Sequence, residues 1–261
     1  MKRRRTSRRL ATDLLAVDVG NSKVEALLVC DGEERCRWRV DYDGTPSGWK
    51  RQFALAATAA RREAHAAVPI VVASVAPSRA AAVEAILRRT WRRRPHRASW
   101  RDPWPFRLGI RTPQTLGVDR LANVAGLMAL GLRDGIAVDA GTAVTIDILE
   151  RGRFVGGLIL PGSALMARAL HHHTAQLPLV HVGAPVPLFG VDTVSALQAG
   201  VQHGLAQALR GLTATLAARR RSQTVLTGGA AEVFAPWLSK ALHVPDLLFL
   251  GLRLLQARRS A

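Results

Sequence analysis

Features that mark secreted and membrane proteins are scarce in this chain of 261 residues. There are two cysteines, Cys30 and Cys36, and two thiols provide no disulfide framework in so long a chain. The basic N-terminus is not followed by an apolar signal core, because the apolar run that begins at Leu14 ends at Asp18. No stretch is long and uncharged enough to cross a bilayer. We therefore expect a cytoplasmic location and no membrane partner.

Acidic residues are also scarce: 19 Asp and Glu stand against 37 Lys and Arg, a formal net charge of +18. The basic residues are concentrated in four clusters, at 2–9, 88–97, 219–221 and 258–259. Such a charge is compatible with nucleic-acid binding, and Trp91, Trp100 and Trp104 interleave with arginines as in some nucleic-acid binders. Basic residues at predicted helix ends more often lie on the solvated surface, where they interact with the helix dipole. Tryptophans more often pack in a protein core. We expect no specific nucleic-acid partner.

The common loops that bind nucleotide phosphates are absent. A Rossmann fold needs Gly-x-Gly-x-x-Gly at the start of a helix, and a P-loop needs Gly-Lys-Ser or Gly-Lys-Thr. Neither pattern occurs in the sequence. A nucleotide would therefore have to bind at turns of another kind.

Two segments of the chain are versions of one another. Residues 14–22 (LLAVDVGNS) are echoed by residues 135–143 (GIAVDAGTA), and an apolar run rich in β-branched residues follows each. An apolar run that ends in Asp-x-Gly and continues into a second strand predicts a β-hairpin, because glycine tolerates a tight turn. The turn offers main-chain N–H groups to a phosphate, and the Asp can hold a hard cation. A single copy is more often an ordinary capped turn, but repetition favours two domains that grip a nucleotide from both sides.

The periodicity predicts strand meanders followed by helices, twice over. In the first half, strands are expected at 14–17, 24–30, 37–41 and 69–75, and helices at 49–66 and 78–89, with Ser78 as N-cap. In the second half, helices are expected at 119–130, 165–172, 194–218 and 231–242, strands at 136–140, 144–149, 153–160 and 224–227, and a final segment at 247–256. The Pro-rich residues 100–114 form a connection. We expect an α/β protein with a basic, disordered arm at 1–12 and two similar lobes at 13–114 and 115–261.

Seven motifs occur in the order seen in type III pantothenate kinases: residues 18–22 (DVGNS), 73–77 (ASVAP), 117–120 (GVDR), 139–147 (DAGTAVTID), 156–162 (GGLILPG), 174–178 (TAQLP) and 227–229 (TGG). They cover nearly the whole chain after Thr12, which therefore resembles that family closely. The family shares the superfold of acetate and sugar kinases, heat-shock chaperones and actin. The resemblance implies duplicated actin-like (ribonuclease H-like) lobes with a nucleotide cleft between them. It also implies ATP-dependent phosphorylation of pantothenate, the first step of coenzyme A biosynthesis, by a homodimer.

The resemblance implies a substrate-binding group made of Gly117, Val118, Asp119, Arg120 and Thr193. Asp119 would be the general base, because a hydroxyl that attacks a γ-phosphoryl group needs a proton acceptor and a carboxylate is ionised at neutral pH. Arg120 would hold the substrate carboxylate or neutralise charge near the site. Without these roles, Asp119 would cap its helix and Thr193 would cap the helix that follows it.

The resemblance further implies ATP binding by Asp18, Val19, Gly20, Asn21, Ser22, Lys23, Thr142, Gly228 and Gly229. Asp18 would hold Mg²⁺, and Asp139 would hold a monovalent cation, K⁺ or NH₄⁺. Lys23 would contact a phosphate as a point charge or point to solvent. Gly228 and Gly229 would let adenine lie against the main chain or would serve a simple strand-to-helix turn. The three consecutive histidines at 171–173 are expected at the surface, because neighbours on a helix do not share a face.

The sequence departs from the family pattern at one point. Many members carry an aromatic residue a few positions before the Gly-x-Asp-Arg motif, and none stands between Phe106 and Gly117. Two other functions stay open, a sugar or amino-sugar kinase of the same superfold and a non-catalytic regulatory homologue that binds nucleic acid. Intact Asp18, Asp119 and Asp139 favour an enzyme, because a protein that only binds has no use for a base.

Overall fold

The computed structural model describes residues 13–42, 45–64, 68–183, 186–220 and 222–261. The expected arm at 1–12 lies outside these ranges. The described residues form two compact units: the first runs to Gly131 and also includes Leu247–Ala261, and the second is Leu132–Asp246. No helix within the described ranges is long and apolar enough to span a bilayer.

In chain order, the elements are β1 (Leu14–Val19), β2 (Lys23–Cys30), β3 (Glu33–Asp41), α1 (Pro46–Glu63), β4 (Ile70–Ser74), α2 (Pro77–Trp91), β5 (His96–Arg97), β6 (Arg107–Leu108), α3 (Val118–Ala129), β7 (Gly135–Ala140), β8 (Ala143–Glu150), β9 (Arg153–Pro161), α4 (Ser163–His172), α5 (Thr193–Arg220), β10 (Gln223–Thr227), α6 (Ala231–Phe234), β11 (Leu242–His243) and α7 (Leu247–Arg259). Short 3₁₀ helices lie at Pro113–Thr115 and Ala235–Trp237.

The sheet of the first unit has the order β3-β2-β1-β4-β5. β1 is antiparallel to β2 and parallel to β4, so that Val19 pairs with both Val24 and Ser74. The carboxyl ends of β1 and β4 therefore meet at one edge of the sheet, together with the turn between β1 and β2. This edge carries the first predicted phosphate turn.

The helices α1 and α2 cover this sheet with apolar faces. The α1 helix begins at a cap, because the Thr45 side chain accepts a hydrogen bond from the Gly48 N–H. Its buried residues recur every three or four positions, as they must on one face of a helix: Trp49, Phe53, Ala57 and Ala60. They pack with the equally spaced Ala80, Val83, Leu87 and Trp91 of α2 and with buried residues of β1 and β4.

The last helix, α7, packs on α3 with unusually close main chains. A methyl group at Gly126 of α3 would clash with the Leu247 carbonyl oxygen, and one at Gly251 of α7 would clash with the Ala122 carbonyl oxygen. Only glycine allows this approach. Both helices consequently belong to the first compact unit, although the repeated pattern placed them in the lobe expected at 115–261. The lobes at 13–114 and 115–261, which were inferred from the sequence repeat, stay a prediction. The two compact units are defined by packing and have other bounds.

The second unit repeats the strand arrangement of the first. Its strands run in the order β11-β10-β7-β8-β9, and β7 is antiparallel to β8 and parallel to β10. The turns that follow the second strand also correspond, because Asp31-Gly32 and Arg151-Gly152 all have positive φ angles. A register shift precedes each of these turns, at Leu28/Val29 and at Ile148/Leu149. The duplication expected from sequence is thus visible in the strand pairing.

Two expected elements differ in the structure. The helix predicted at 231–242 ends at Phe234, where a 3₁₀ turn with Pro236 follows, and Leu242 begins a strand instead. Proline lacks the N–H that would continue the α-helix. Ser78 is not an N-cap either: α2 begins one residue earlier, at Pro77, and its cap position makes no side-chain hydrogen bond. Proline at the first helical position needs no such bond for its own nitrogen.

Candidate active site

The turn after β1 is held by main-chain hydrogen bonds. The Gly20 N–H donates to the Lys23 carbonyl oxygen (3.0 Å), which closes the hairpin. Asn21 and Ser22 are exposed at its tip, and Asp18, at the end of β1, is half-buried. The turn therefore presents small polar groups to solvent beside a carboxylate. Lys23 lies beyond it on β2, and its Nζ is 2.6 Å from the Glu25 carboxylate.

The segment after β4 is fastened to the same edge. Both the Ser74 hydroxyl (3.2 Å) and the Val75 N–H (3.3 Å) donate to the Val19 carbonyl oxygen. The Ala76 N–H then donates to Ser74 Oγ (3.0 Å). These bonds fix where α2 begins, next to the turn between β1 and β2.

Asp119 lies in the first turn of α3, and Gly117 makes room for its carboxyl group. A methyl group at 117 would clash with Asp119 Oδ1 and would lie 3.5 Å from a Val75 methyl carbon. Gly117 thus lies next to both the Asp119 carboxyl group and Val75, in the segment that is tied to β1. The cap position is Gly117 without a side-chain hydrogen bond, so Asp119 is not the N-cap. Its Oδ1 accepts a hydrogen bond from the Arg120 N–H at 2.8 Å.

Burial raises the pKa of the Asp119 carboxyl above its ordinary value, against the opposing effects of the Arg120 N–H and the Arg120 charge. A carboxylate with a raised pKa binds a proton more readily than an exposed one. This is the property that a general base needs, provided that it is still ionised at the working pH.

The turn after β7 is closed by a main-chain hydrogen bond, like the turn after β1, and Gly162 packs against it. Its Gly141 N–H donates to the Ala143 carbonyl oxygen (3.2 Å), and the Gly162 N–H donates to the Thr142 carbonyl oxygen (3.1 Å). A methyl group at Gly162 would clash with the carbonyl oxygens of Gly141 and Thr142. The Gly-Gly-x-Ile-x-Pro-Gly motif therefore ends where its last glycine contacts this turn. Thr142 is exposed at the tip.

Gly228 lies against Asp139. It has a φ of +94°, and a methyl group there would clash with Asp139 Oδ1 and with the main chain of Ala140. The Ala230 N–H donates to the Ala140 carbonyl oxygen (2.8 Å), which fastens the 228–230 turn to the end of β7. The predicted residues Asp139, Gly228 and Thr142 are thus brought to one end of the second sheet. The Asp139 carboxylate and the Ala140 carbonyl oxygen both lie beside Gly228, and carboxylate and carbonyl oxygens are the ligands that hard cations prefer.

Thr193 lies in a different setting. It is the first residue of α5, and the capping is done by Asp192, whose Oδ1 accepts from the Ser195 N–H at 2.8 Å. This hydrogen bond lowers the pKa of Asp192. Thr193 instead lines a cavity of about 480 Å³ between α4 and α5 with apolar neighbours, among them Met166, Leu170 and Leu197. The alternative role of Thr193 as a helix cap is therefore wrong.

The three histidines at 171–173 are exposed, as expected. His171 Nδ1 donates to the Leu177 carbonyl oxygen at 2.8 Å. Within the described ranges, no three His, Cys, Asp or Glu side chains are grouped in a way that could hold a metal ion. Any ion at Asp18 or Asp139 would therefore need ligands from phosphate, water or the main chain, which is how Mg²⁺ is commonly bound.

Arg79 and Tyr42 were not predicted from sequence, yet both lie at the first turn. Arg79 Nη1 donates to the Asn21 carbonyl oxygen. The Tyr42 N–H donates to the Ser22 carbonyl oxygen (2.9 Å). The signal for Arg79 was its place two residues after the Pro that ends the 73–77 motif. No local signal marked Tyr42.

Comparison with known proteins agrees with these motifs. A sequence model of type III pantothenate kinases matches residues 14–215. The type III pantothenate kinase of Rhodospirillum centenum is 32% identical over 266 residues, covering 95% of this chain and 99% of that protein. The one from Acidiphilium cryptum is 31% identical over 259 residues, covering 95% of each. A 37% identical match to the enzyme of Chlorobaculum parvum is shorter, at 155 residues, and covers 56% of this chain and 58% of that protein.

Solved structures with the same fold are more distant in sequence. A candidate Baf family transcriptional activator from Campylobacter jejuni has a TM-score of 0.59 and 23% identity, covering 95% of this chain and 100% of that one. A candidate 2-dehydro-3-deoxygalactonokinase from Sinorhizobium meliloti has a TM-score of 0.59 and 16% identity, covering 95% and 96%. At these identities the likeness shows the fold alone. The expected α/β fold with duplicated actin-like lobes is thereby confirmed.

Proposed function

This chain belongs to the type III pantothenate kinase family, and from that premise we propose that Asp119 is the general base of its reaction. The enzyme is a kinase that transfers a phosphoryl group from ATP to pantothenate, the first step of coenzyme A biosynthesis. One observation supports Asp119 most directly: its carboxyl group has a raised pKa in a space that Gly117 leaves open. We place the reaction in the cytoplasm, where ATP is abundant and thiols such as Cys30 and Cys36 stay reduced.

The proposed chemistry is one proton transfer coupled to one phosphoryl transfer. As the hydroxyl oxygen of pantothenate bonds to the γ-phosphorus, the bond to the β-γ bridging oxygen breaks and ADP leaves. Asp119 accepts the hydroxyl proton. Arg120, the next residue, binds the pantothenate carboxylate through its planar guanidinium. The main chain of Gly117 and Val118 completes this wall of the substrate site, and the Thr193 hydroxyl is a further substrate contact.

The two repeated turns are the proposed phosphate contacts. In the first unit, Val19, Gly20, Asn21 and Ser22 form the turn, with Lys23 after it; in the second unit the corresponding contact is Thr142. The exposed side chains of Asn21, Ser22 and Thr142 and the tight main chain of both turns support this role. Gly228 and Gly229 would let the adenine lie against the main chain.

Two cations complete the proposal. Asp18 would hold Mg²⁺ directly or through water, and a bound Mg²⁺ would supply positive charge beside the phosphates. Asp139 binds K⁺ or NH₄⁺. The Asp139 carboxylate and the Ala140 carbonyl oxygen, which both lie beside Gly228, would be the oxygen ligands of this cation.

We expect turnover to be faster in K⁺ or NH₄⁺ than in Na⁺ at equal ionic strength. The Asp139→Ala variant should lose this difference and about 10-fold or more of its activity, because a cation ligand is gone. Initial rates measured in the three salts, with melting temperatures for both proteins, check this. Equal rates of the wild-type enzyme in Na⁺ and K⁺ would remove the cation role from Asp139.

A homodimer is the proposed assembly, formed through an apolar surface of the second unit. Leu188, Phe189 and Val191 are 77%, 74% and 91% exposed, close in sequence to Thr193. Leu179 and Val194 are also exposed. A monomer rarely leaves so many large apolar side chains in water, so a second copy of the chain is the expected cover.

Phe189→Glu should therefore weaken dimerisation by about 100-fold or more, because the new charge would be buried without a partner. Light scattering coupled to size exclusion measures the change. Leu55→Glu is the control, because Leu55 is an exposed leucine (64%) on α1 in the other unit. A dimer that survives Phe189→Glu unchanged would place the interface elsewhere.

The function is tested by a coupled assay of ADP release from the purified protein, with and without pantothenate. Pantothenate-dependent ATP consumption is expected. A sugar that stimulates ATP use while pantothenate does not would favour a sugar kinase, the kind of activity for which the Sinorhizobium meliloti protein is named. No ATP use, with sequence-selective nucleic-acid binding that survives physiological salt, would favour a regulator, the role for which the Campylobacter jejuni protein is named.

A further inference from the structure

The turn between β1 and β2 carries a cation that no motif indicated. Arg79, near the start of α2, donates a hydrogen bond from Nη1 to the Asn21 carbonyl oxygen. Its guanidinium carbon lies 4.2 Å from the centroid of the Tyr42 ring. Asn21 is exposed, so this guanidinium is held at the surface of the turn and not inside the core.

The aromatic platform under Arg79 is itself fixed. The Tyr42 N–H donates to the Ser22 carbonyl oxygen at 2.9 Å, which ties Tyr42 to the turn. The Tyr42 ring packs edge-on against Trp49, with centroids 4.9 Å apart and an angle of 68°. A guanidinium stacked on a fixed ring loses little further freedom when it binds an anion.

Of Lys23 and Arg79, the two cations at the turn between β1 and β2, only Arg79 forms no ion pair with a carboxylate within the described ranges. Lys23, the cation expected from sequence, is paired with Glu25 at 2.6 Å. For Arg79, the contacts within the described ranges are the Asn21 carbonyl and the Tyr42 ring, and no carboxylate forms an ion pair with it. The charge of Lys23 is therefore already neutralised, whereas that of Arg79 is not.

The Tyr42 phenol lies within the influence of both Arg79 and Asp18. Burial is the main reason that its pKa is raised to about 12, while the Arg79 charge lowers this pKa and the Asp18 charge raises it further. Tyr42 thus remains neutral at physiological pH and serves as an aromatic surface. Arg79 and Asp18 are near the same ring, and Asp18 is the proposed Mg²⁺ ligand.

We propose that Arg79 is a phosphate-binding residue of the ATP site, where its guanidinium contacts a phosphate oxygen at the turn between β1 and β2. This inference rests on the proposed function of that turn. Arginine suits the position because its planar donors match phosphate oxygens in pairs.

The test compares three ligands by calorimetry in the absence of pantothenate: MgATP, ADP and adenosine. Arg79→Met should bind MgATP and ADP about 10- to 100-fold more weakly, as loss of one charge-assisted contact predicts, and adenosine as tightly as the wild type does. The affinity of Arg79→Lys for MgATP and ADP should lie between those of the wild type and Arg79→Met, because lysine keeps the charge but lacks the planar guanidinium. The unliganded melting temperature should change little, since Asn21 is an exposed residue and water can replace Arg79 at its carbonyl oxygen.

Arg61→Met is the matched control. Arg61 also lies over an aromatic ring, 5.6 Å from the Trp91 centroid, and donates to the Ala64 carbonyl oxygen, but it has no place at the turn. It should leave all three affinities unchanged. Unaltered ADP and ATP binding by Arg79→Met would overturn the proposal, and so would an equal loss for adenosine, which would show a structural role. A wild-type protein that binds ATP but does not use it with pantothenate would refute the proposed function and leave the Arg79 result intact.

Discussion

The Asp119→Asn variant is expected to lose about 10²- to 10⁴-fold in kcat, the usual effect of removing a general base. Asparagine has nearly the same shape and can still accept the Arg120 N–H, but it cannot take the hydroxyl proton of pantothenate. Steady-state rates from the coupled assay measure the loss. The KM values for ATP and pantothenate should change far less than kcat.

The pH profile gives an independent check on Asp119. The base must be ionised to act, and burial raises the pKa of Asp119, so the acid-side fall of kcat/KM should lie at a higher pH than for an ordinary aspartate. The raised pKa also means that ionised Asp119 costs stability, since the folded form favours the proton. That cost is absent at low pH and appears as pH rises through the folded pKa. Asp119→Asn should therefore melt at the same or a higher temperature at neutral pH.

Asp134→Asn is a matched control, because Asp134 also accepts a main-chain hydrogen bond, from the Arg151 N–H at 2.9 Å. It lies in the second unit before β7 and should keep full turnover. If Asp119→Asn retained near-normal kcat, substrate positioning alone would have to drive the reaction, and the proposed base would be wrong.

Gly117→Ala is expected to lower kcat by about 100-fold without unfolding the protein. The backbone at 117 has φ −59° and ψ 134°, which alanine adopts readily. The new methyl group would, however, occupy the space of Asp119 Oδ1 and displace the carboxyl group. A displacement of about 1 Å in a reacting group is enough for a loss of this size.

A double-mutant cycle ties this effect to the base. Once Asp119 is Asn, the added methyl at 117 has no base to displace, so the double variant should be about as slow as Asp119→Asn alone. Losses that multiply would instead show that Gly117 acts through another group. Gly204→Ala is the control, because Gly204 has open space around its Cβ position in α5.

The local sequence was sufficient for the long strands and the repeated turns, whereas the two-residue strands β5, β6 and β11 carry no such pattern. Alternating and continuous apolar runs at β1, β2, β7 and β8 are patterns that few other structures satisfy, and Asp-x-Gly marks the turn that follows. Pro236 is equally visible in the sequence, and it explains why the helix expected at 231–242 ends at Phe234.

Contacts between distant segments could not be predicted in the same way. The Gly-x-Asp-Arg motif marked Gly117. Only the folded structure shows why a glycine is needed there: a side chain at 117 would clash with the Asp119 carboxyl group. In the sequence, Arg79 cannot be distinguished from the many arginines on solvated helix faces. Its contact with the turn, through the Asn21 carbonyl oxygen, is visible only in the folded structure. The packing of α7 on α3 could not be predicted either, because the sequence of an apolar helix does not indicate which unit it will cover.

The return of α7 to the first unit makes the order of synthesis matter. The strands β1 to β4 leave the ribosome early, but the face of α3 that meets Gly251 stays uncovered until Leu247–Ala261 has been made. In the same segment, Arg259 forms an ion pair with Asp102 at 2.6 Å, and Arg258 donates to the Pro103 carbonyl oxygen at 2.8 Å. A message truncated by a late stop codon would thus yield a nascent chain with both repeated turns and no support behind the helix that carries Asp119.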